Sequence, residues 1–261
     1  MENNELTKEQ IEILTGTLLG DSSLQFMSKK AKTPIYTCTH GKEQKDYAEL
    51  KAQKLGASIT ERNRFDKRTE KIYESYYVWS KTNPYFLKIY DKLYKNKKKV
   101  ITNEFLENFT DVSLAYLYMD DGYTSQKTAF ICTDAFDDDS IFVLIKFLEK
   151  KYSITFRKVR GNRIRLAFRD RIRFCNLIEK HMMDNLKYKL PPKEEPLSTI
   201  DNYKKDTKQI ITELQELYGT RFDYSLVEYI NISTPICLIE NGEKIWRKPS
   251  NLLKPKYKRK K

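Results

Sequence analysis

Residues 14–22 read LTGTLLGDS, and residues 114–122 read LAYLYMDDG. Set end to end, the two segments place Asp21 and Asp121 in the same position, 100 residues apart. Each segment closes a run of helical periodicity. Ile11, Leu14, Leu18 and Leu19 follow helical spacing within residues 8–20, and VSLAYLYMDD does the same after Asp111. A carboxylate at a helix C-terminus meets the negative end of the helix dipole, so an acid placed there twice needs a reason other than helix stability.

The surroundings repeat as well. After the first segment come strand-like SSLQFM and IYTCTH, a helix over 43–55, strands at 58–64 and 72–80, and a helix from Asn83 with Pro84 in its first turn. After the second come a strand at 127–133, a helix beginning with three acids at Asp137, strands at 153–159 and 162–168, and a helix from Arg169 through about Met183. The pattern predicts an α+β fold of two pseudo-symmetric αββαββα halves, 1–98 and 99–192, related by an approximate two-fold axis. Residues 193–209 are polar and proline-bearing and read as a linker. A small unit follows at 210–261, with a hairpin turning at Asn241-Gly242.

Forty-nine Lys and Arg against 36 Asp and Glu give the 261 residues a formal charge of +13, which points to a polyanionic partner. Six of the basic residues lie in KPKYKRKK at 254–261, and nine lie between 151 and 173 against the single acid Asp170. No apolar run is long enough for a membrane span, and MENNELTKEQ has no signal-like core, so a soluble intracellular protein without a membrane partner is expected. Cys38, Cys132, Cys175 and Cys237 stand apart without a CxxC pair, which predicts reduced thiols and neither a disulfide framework nor zinc. His40 and His181 read as ordinary strand and helix residues.

Small Gly16 and Gly20 would let the two helices pack side by side, so that both carboxylates emerge at one end and repel each other. A divalent cation resolves that conflict, because Mg²⁺ favours one or two carboxylates together with water and phosphate oxygens, and can promote hydrolysis of a phosphodiester.

LTGTLLGDS, the run KKKVITNEFLENFTDVSLAYLYMDDG at 97–122 and MMDNLKYKLP at 182–191 resemble the LAGLIDADG homing endonucleases, of the kind that carries both motifs in one chain. The resemblance covers roughly residues 1–192. It implies that the motif helices meet at the interface of the halves beneath a DNA-binding saddle of antiparallel strands. It also implies that Asp21 and Asp121 bind catalytic metal, with Gly20 and Asp120 as further metal-site positions, and that Lys99 and Lys189 organise water and charge at the scissile phosphates. The expected reaction is a Mg²⁺-dependent double-strand break across the minor groove, with Mn²⁺ as a substitute, leaving short 3′ overhangs. Bulky Tyr116 and acidic Asp120 depart from the usual small residues, and they are expected to face Gly16 and Gly20.

Alternation in NRIRLAF sets Arg163 and Arg165 on one strand face, with Arg157 and Arg160 on the neighbouring strand or its turn; Arg62, Arg64, Tyr73 and Tyr76 form the comparable set in the first half. Residues 210–261 resemble a small accessory module of phage-type homing endonucleases through FDYSLVEY, TPI, Trp246 and PSNLL, and would extend DNA contact through Arg247, Lys248 and Asn251. The expected partner is double-stranded DNA with a long asymmetric site, bound by a monomer encoded in a mobile element. The expected setting is the cytoplasm or nucleoid of a bacterial or phage-infected cell, with an organelle as the alternative. Two rival readings stand on the same scaffold: a maturase that binds intron RNA, and a catalytically inactive DNA-binding regulator.

Overall fold

Thr7 and Thr110 open the two motif helices in the same way. In α1 (Lys8–Leu19) the Thr7 hydroxyl accepts from the Gln10 amide while the Gln10 side chain accepts from Thr7; in α4 (Asp111–Asp121), Thr110 and Ser113 make the same reciprocal pair. Residues 13–19 of α1 and 113–120 of α4 are buried without interruption. A helix surrounded on all sides belongs at the centre of a fold rather than on its surface.

The computed structural model describes residues 5–193 and 206–253. The chain divides into two units, Met1–Lys193 and Glu194–Lys261. In the first, α1 leads to β1 (Ser22–Gln25), β2 (Ile35–Gly41), α2 (Lys45–Leu55), β3 (Ser58–Asp66), β4 (Lys71–Trp79) and α3 (Pro84–Leu93). A two-residue hairpin follows, β5 (Tyr94–Lys95) and β6 (Lys98–Lys99). Then α4 leads to β7 (Gly122–Ser125), β8 (Thr128–Cys132), α5 (Asp138–Tyr152), β9 (Phe156–Val159), β10 (Arg163–Leu166) and α6 (Arg171–Ile178). The two sheets run β1-β2-β4-β3 and β7-β8-β10-β9, the same permutation with every pair antiparallel. The doubled αββαββα pattern is therefore present, and one continuous apolar core joins both halves.

The differences from the sequence reading have local causes. The strand expected from residue 153 begins at Phe156 because Ser153, at φ 54, is the left-handed cap of α5. The strand expected over 162–168 shrinks to Arg163–Leu166 between the Gly161-Asn162 turn and a 3₁₀ turn at Phe168–Asp170. The last helix ends at Ile178 rather than near Met183. Met182 and Leu186 then drop into the core, and the chain turns back along α4, where the Met183 amide meets Met119 Sδ at 3.4 Å.

The first described helix of the second unit is Thr207–Tyr218, capped by Asp206, so helix is present before residue 210. β11 (Ile236–Glu240) and β12 (Glu243–Arg247) form the hairpin at Asn241-Gly242, both residues at positive φ. Ile210, Leu214, Phe222, Tyr224, Val227, Ile236, Leu238 and Leu252 give this unit a core of its own. Most of the expected linker and the tail KPKYKRKK lie outside the described residues.

Candidate active site at the interface of the two halves

The motif helices touch through their small residues. A Cβ added to Gly16 would lie 2.2 Å from the Ser113 carbonyl oxygen, and one added to Gly20 would lie 2.5 Å from Asp120 Cβ. Gly20 therefore faces Asp120 as expected, but Gly16 meets Ser113 rather than Tyr116. Ser113 strengthens that contact by donating from Oγ to the Glu12 carbonyl at 2.6 Å. Tyr116 is buried instead beside Tyr47, with ring centroids 6.3 Å apart.

Asp21 and Asp121 emerge at the same end of this pair, and the charge of Asp21 bears on Asp121. Burial pushes the Asp121 carboxyl up to about 7, with Asp21 and then Asp120 adding to the rise and Lys99 and Lys189 opposing it. Asp21 is raised as well, first by burial and then by Asp120, although 39% of its side chain remains open to solvent. Two carboxyls that resist ionisation at one end of the helix pair offer hard oxygen donors of the kind a divalent cation takes.

The two lysines take matching places. Lys99, on β6, donates to the Ser22 carbonyl at 2.6 Å and the Gly20 carbonyl at 3.4 Å, at the end of α1. Lys189 donates to the carbonyls of Met119 at 2.5 Å and Asp120 at 3.3 Å, at the end of α4. Each lysine thus caps carbonyls near the end of a motif helix while standing within the field of Asp21, Asp120 and Asp121. Burial lowers both ammonium groups, Lys99 to about 8, against the pull of the surrounding aspartates.

A group absent from the sequence reading completes the site. Asp120 Oδ1 accepts from Tyr47 Oη and Lys51 Nζ, each at 2.7 Å, while Oδ2 accepts from the Asp21 amide at 3.2 Å. Lys51 also donates to His40 Nε2 at 3.1 Å, which leaves the His40 proton on Nδ1 to be donated to Gln44 Oε1 at 3.1 Å. Burial holds the imidazole neutral by lowering its pKa to about 4. Asp21, His40 and Asp120 bring potential ligand atoms within 4.8 Å of one another. Lys51 already supplies the positive charge there, and a second cation beside its ammonium would be repelled. His40 is a strand residue as expected, on the core side rather than the DNA side of the two left open for it, but it sits beside the aspartates, which its sequence neighbourhood did not indicate.

Register decides which basic residues share the outward faces. Arg62 pairs with Ser75 and Arg64 with Tyr73, so these side chains lie together on one face of the first sheet. Tyr76 pairs with Glu61 and His40, on the opposite face, and packs against the core under Lys45. It does not join the outward set. In the second half Arg157, Arg165, Phe130 and Tyr123 align across four strands, with Arg163 on the same face and Arg160 in the β9–β10 turn. Arg163 donates to Tyr123 Oη at 3.3 Å, and Tyr123 stacks on Phe130 at 5.2 Å. Arg247, Lys248 and Asn251 are exposed on the second unit.

Comparison with known proteins agrees with this fold. Residues 11–173 match the LAGLIDADG DNA endonuclease family. The chain is 28% identical over 209 residues to DNA endonuclease I-ChuI of Chlamydomonas applanata, spanning 71% of this chain and 95% of that one. It is 27% identical over 201 residues to probable intron-encoded endonuclease 1 of Wickerhamomyces canadensis, spanning 71% and 85%. It also shares the fold of homing endonuclease I-WcaI bound to its DNA recognition sequence, with a TM-score of 0.64 and 24% identity over 71% of this chain and 87% of that one. The family match spans more than half of its length, and the chain belongs to the LAGLIDADG DNA endonucleases.

Proposed function

We propose that this protein is a site-specific homing endonuclease that hydrolyses one phosphodiester in each strand of a long, asymmetric double-stranded DNA site, leaving short 3′ overhangs. The observation that carries this reading is the convergence of Asp21 and Asp121 at one end of the packed motif helices, each with a lysine on the adjacent carbonyls. Asp21 and Asp121 would hold Mg²⁺, with the Gly20 carbonyl beside them. When bound, the ion activates water and offsets phosphate charge. Lys99 and Lys189 fix the ends of α1 and α4 and balance the carboxylate charge. The outward faces carrying Arg62, Arg64, Tyr73, Arg157, Arg163 and Arg165 grip the duplex, phosphates through charge and base edges through the arginine forks. Two non-identical sheets in one chain suit a monomer reading a target without symmetry.

The test is cleavage of a randomised DNA library with Mg²⁺, with Mn²⁺, and with EDTA. Site-specific linear products in both metals and none in EDTA are expected. Loss of cutting in Asp21→Asn and Asp121→Asn, with DNA binding retained, would fix the catalytic pair; undiminished cutting in both would overturn it.

A further inference from the structure

Asp21 and Asp121 are equivalent by motif but are held by different means. Asp121 is the last residue of α4, so the helix sets its main chain. Asp21 lies two residues beyond the end of α1, past Gly20, and its amide is instead taken by the side chain of Asp120 from the other half. The position matching Asp120 in the first motif is Gly20, which offers no such group. Lys99 grips the flanking Gly20 and Ser22 carbonyls, but the hold on the Asp21 amide itself is only as firm as the hold on Asp120.

That second hold is dry and fully partnered. The Lys51 and Asp120 side chains have 0% exposure, and both Asp120 oxygens are engaged. Lys51 Nζ lies 4.5 Å from the Tyr47 ring centroid and is braced by His40, whose tautomer Gln44 fixes. In the equivalent helix of the second half, α5, the buried residues are Ser140, Ile141, Leu144, Ile145 and Leu148, with no buried charge.

We propose that Lys51 and Asp120 are positioning residues for one catalytic centre alone, fixing the Asp21 main chain across the interface of the halves. The inference rests on the assignment of Asp21 and Asp121 as the catalytic pair. The proposal assigns Asp21 to one scissile phosphate and Asp121 to the other, and its consequence is unequal dependence: loosening the pair displaces Asp21 and leaves Asp121 on its helix, so one strand loses its cut while the other keeps it. A displacement below an ångström is enough for roughly a tenfold loss or more at the affected centre.

The double variant Lys51→Met/Asp120→Asn removes both charges while nearly preserving volume, which avoids stranding a buried ion. Its rates on each strand are measured with end-labelled duplex target, alongside DNA affinity and Tm. Slowing of one strand by about tenfold with the other within about twofold, at unchanged affinity, is expected; on plasmid DNA, nicked circles accumulate. Equal slowing of both strands, or no slowing, overturns the inference. If the wild type itself cuts no DNA, the functional reading fails instead. Should the double variant not fold, Tyr47→Phe removes one bond to Asp120 without a charge change and is expected to bias the strands in the same direction; an unbiased Tyr47→Phe then overturns the inference.

Discussion

Gly16 of the first motif helix lies directly against the main chain of Ser113 in the second, leaving no room for a methyl group: its Cβ would fall 2.2 Å from the Ser113 carbonyl oxygen. Since the obstacle is backbone, Gly16→Ala must push the helices apart. A loss of at least about 1–3 kcal/mol is expected from the overpacking alone, measured by urea denaturation at constant m-value.

Lys51→Met by itself leaves the Asp120 carboxylate buried without its cation, and should cost about 3–5 kcal/mol, whereas adding Asp120→Asn should restore most of that loss. A thermodynamic cycle by chemical denaturation checks this; additive losses would mean that the pair is not coupled.

The acidic pair predicts an inverted pH response. Asp121 titrates at about 7 in the fold and near its ordinary 3.8 when unfolded, so the folded state binds more protons between those values. Its contribution to stability is full below 3.8 and is lost as pH rises through 7. In EDTA, Asp121→Asn is therefore expected to gain Tm relative to wild type at pH 8 but not at pH 4. Mg²⁺ should stabilise the wild type more at pH 8 than at pH 5.

Replacing Arg62 and Arg64, or Arg163 and Arg165, with alanine should weaken DNA binding, and the slope of log affinity against log salt should flatten by roughly one for each phosphate that is no longer neutralised. Tyr76→Phe, on the opposite face of the first sheet, should leave affinity unchanged. Fluorescence anisotropy across a potassium chloride series distinguishes the two faces.

Removing residues 206–261 is expected to leave the fold of the first unit intact, because the described residues of each unit have their own core. If Arg247, Lys248 and Asn251 touch DNA, the truncated chain will bind more weakly and with a flatter salt dependence; unchanged affinity rejects that role.

The doubled architecture and its two aspartates were legible because helical periodicity, strand alternation and a repeated acid all persist in the linear sequence. The Asp120 anchor was not, since Lys51 and Asp120 are 69 residues apart and a lysine in KDYAELKAQKL looks like solvent-facing charge. One signal was available: Lys51 falls four residues after Tyr47, on the stripe with Ala48 and Ala52 that α2 buries. Parity also carried the correction at Tyr76. Tyr73 and Tyr76 are three residues apart on one strand, and side chains share a face only at even separations. The end of α6 had no such local mark, because docking of Met182 and Leu186 into the core decides it.

The sheets share one strand order but not one reach. β3 and β4 run nine residues each, whereas β9 and β10 run four. At about 3.3 Å per residue the longer ribbon extends roughly 30 Å, close to one turn of duplex, and the shorter only about 13 Å. Sequence information in a bound target would then be distributed unevenly, with substitutions under the long ribbon tolerated least. On the proposed function, a duplicated scaffold would in this way divide its labour: one half would carry most of the address, while both would contribute to the cut.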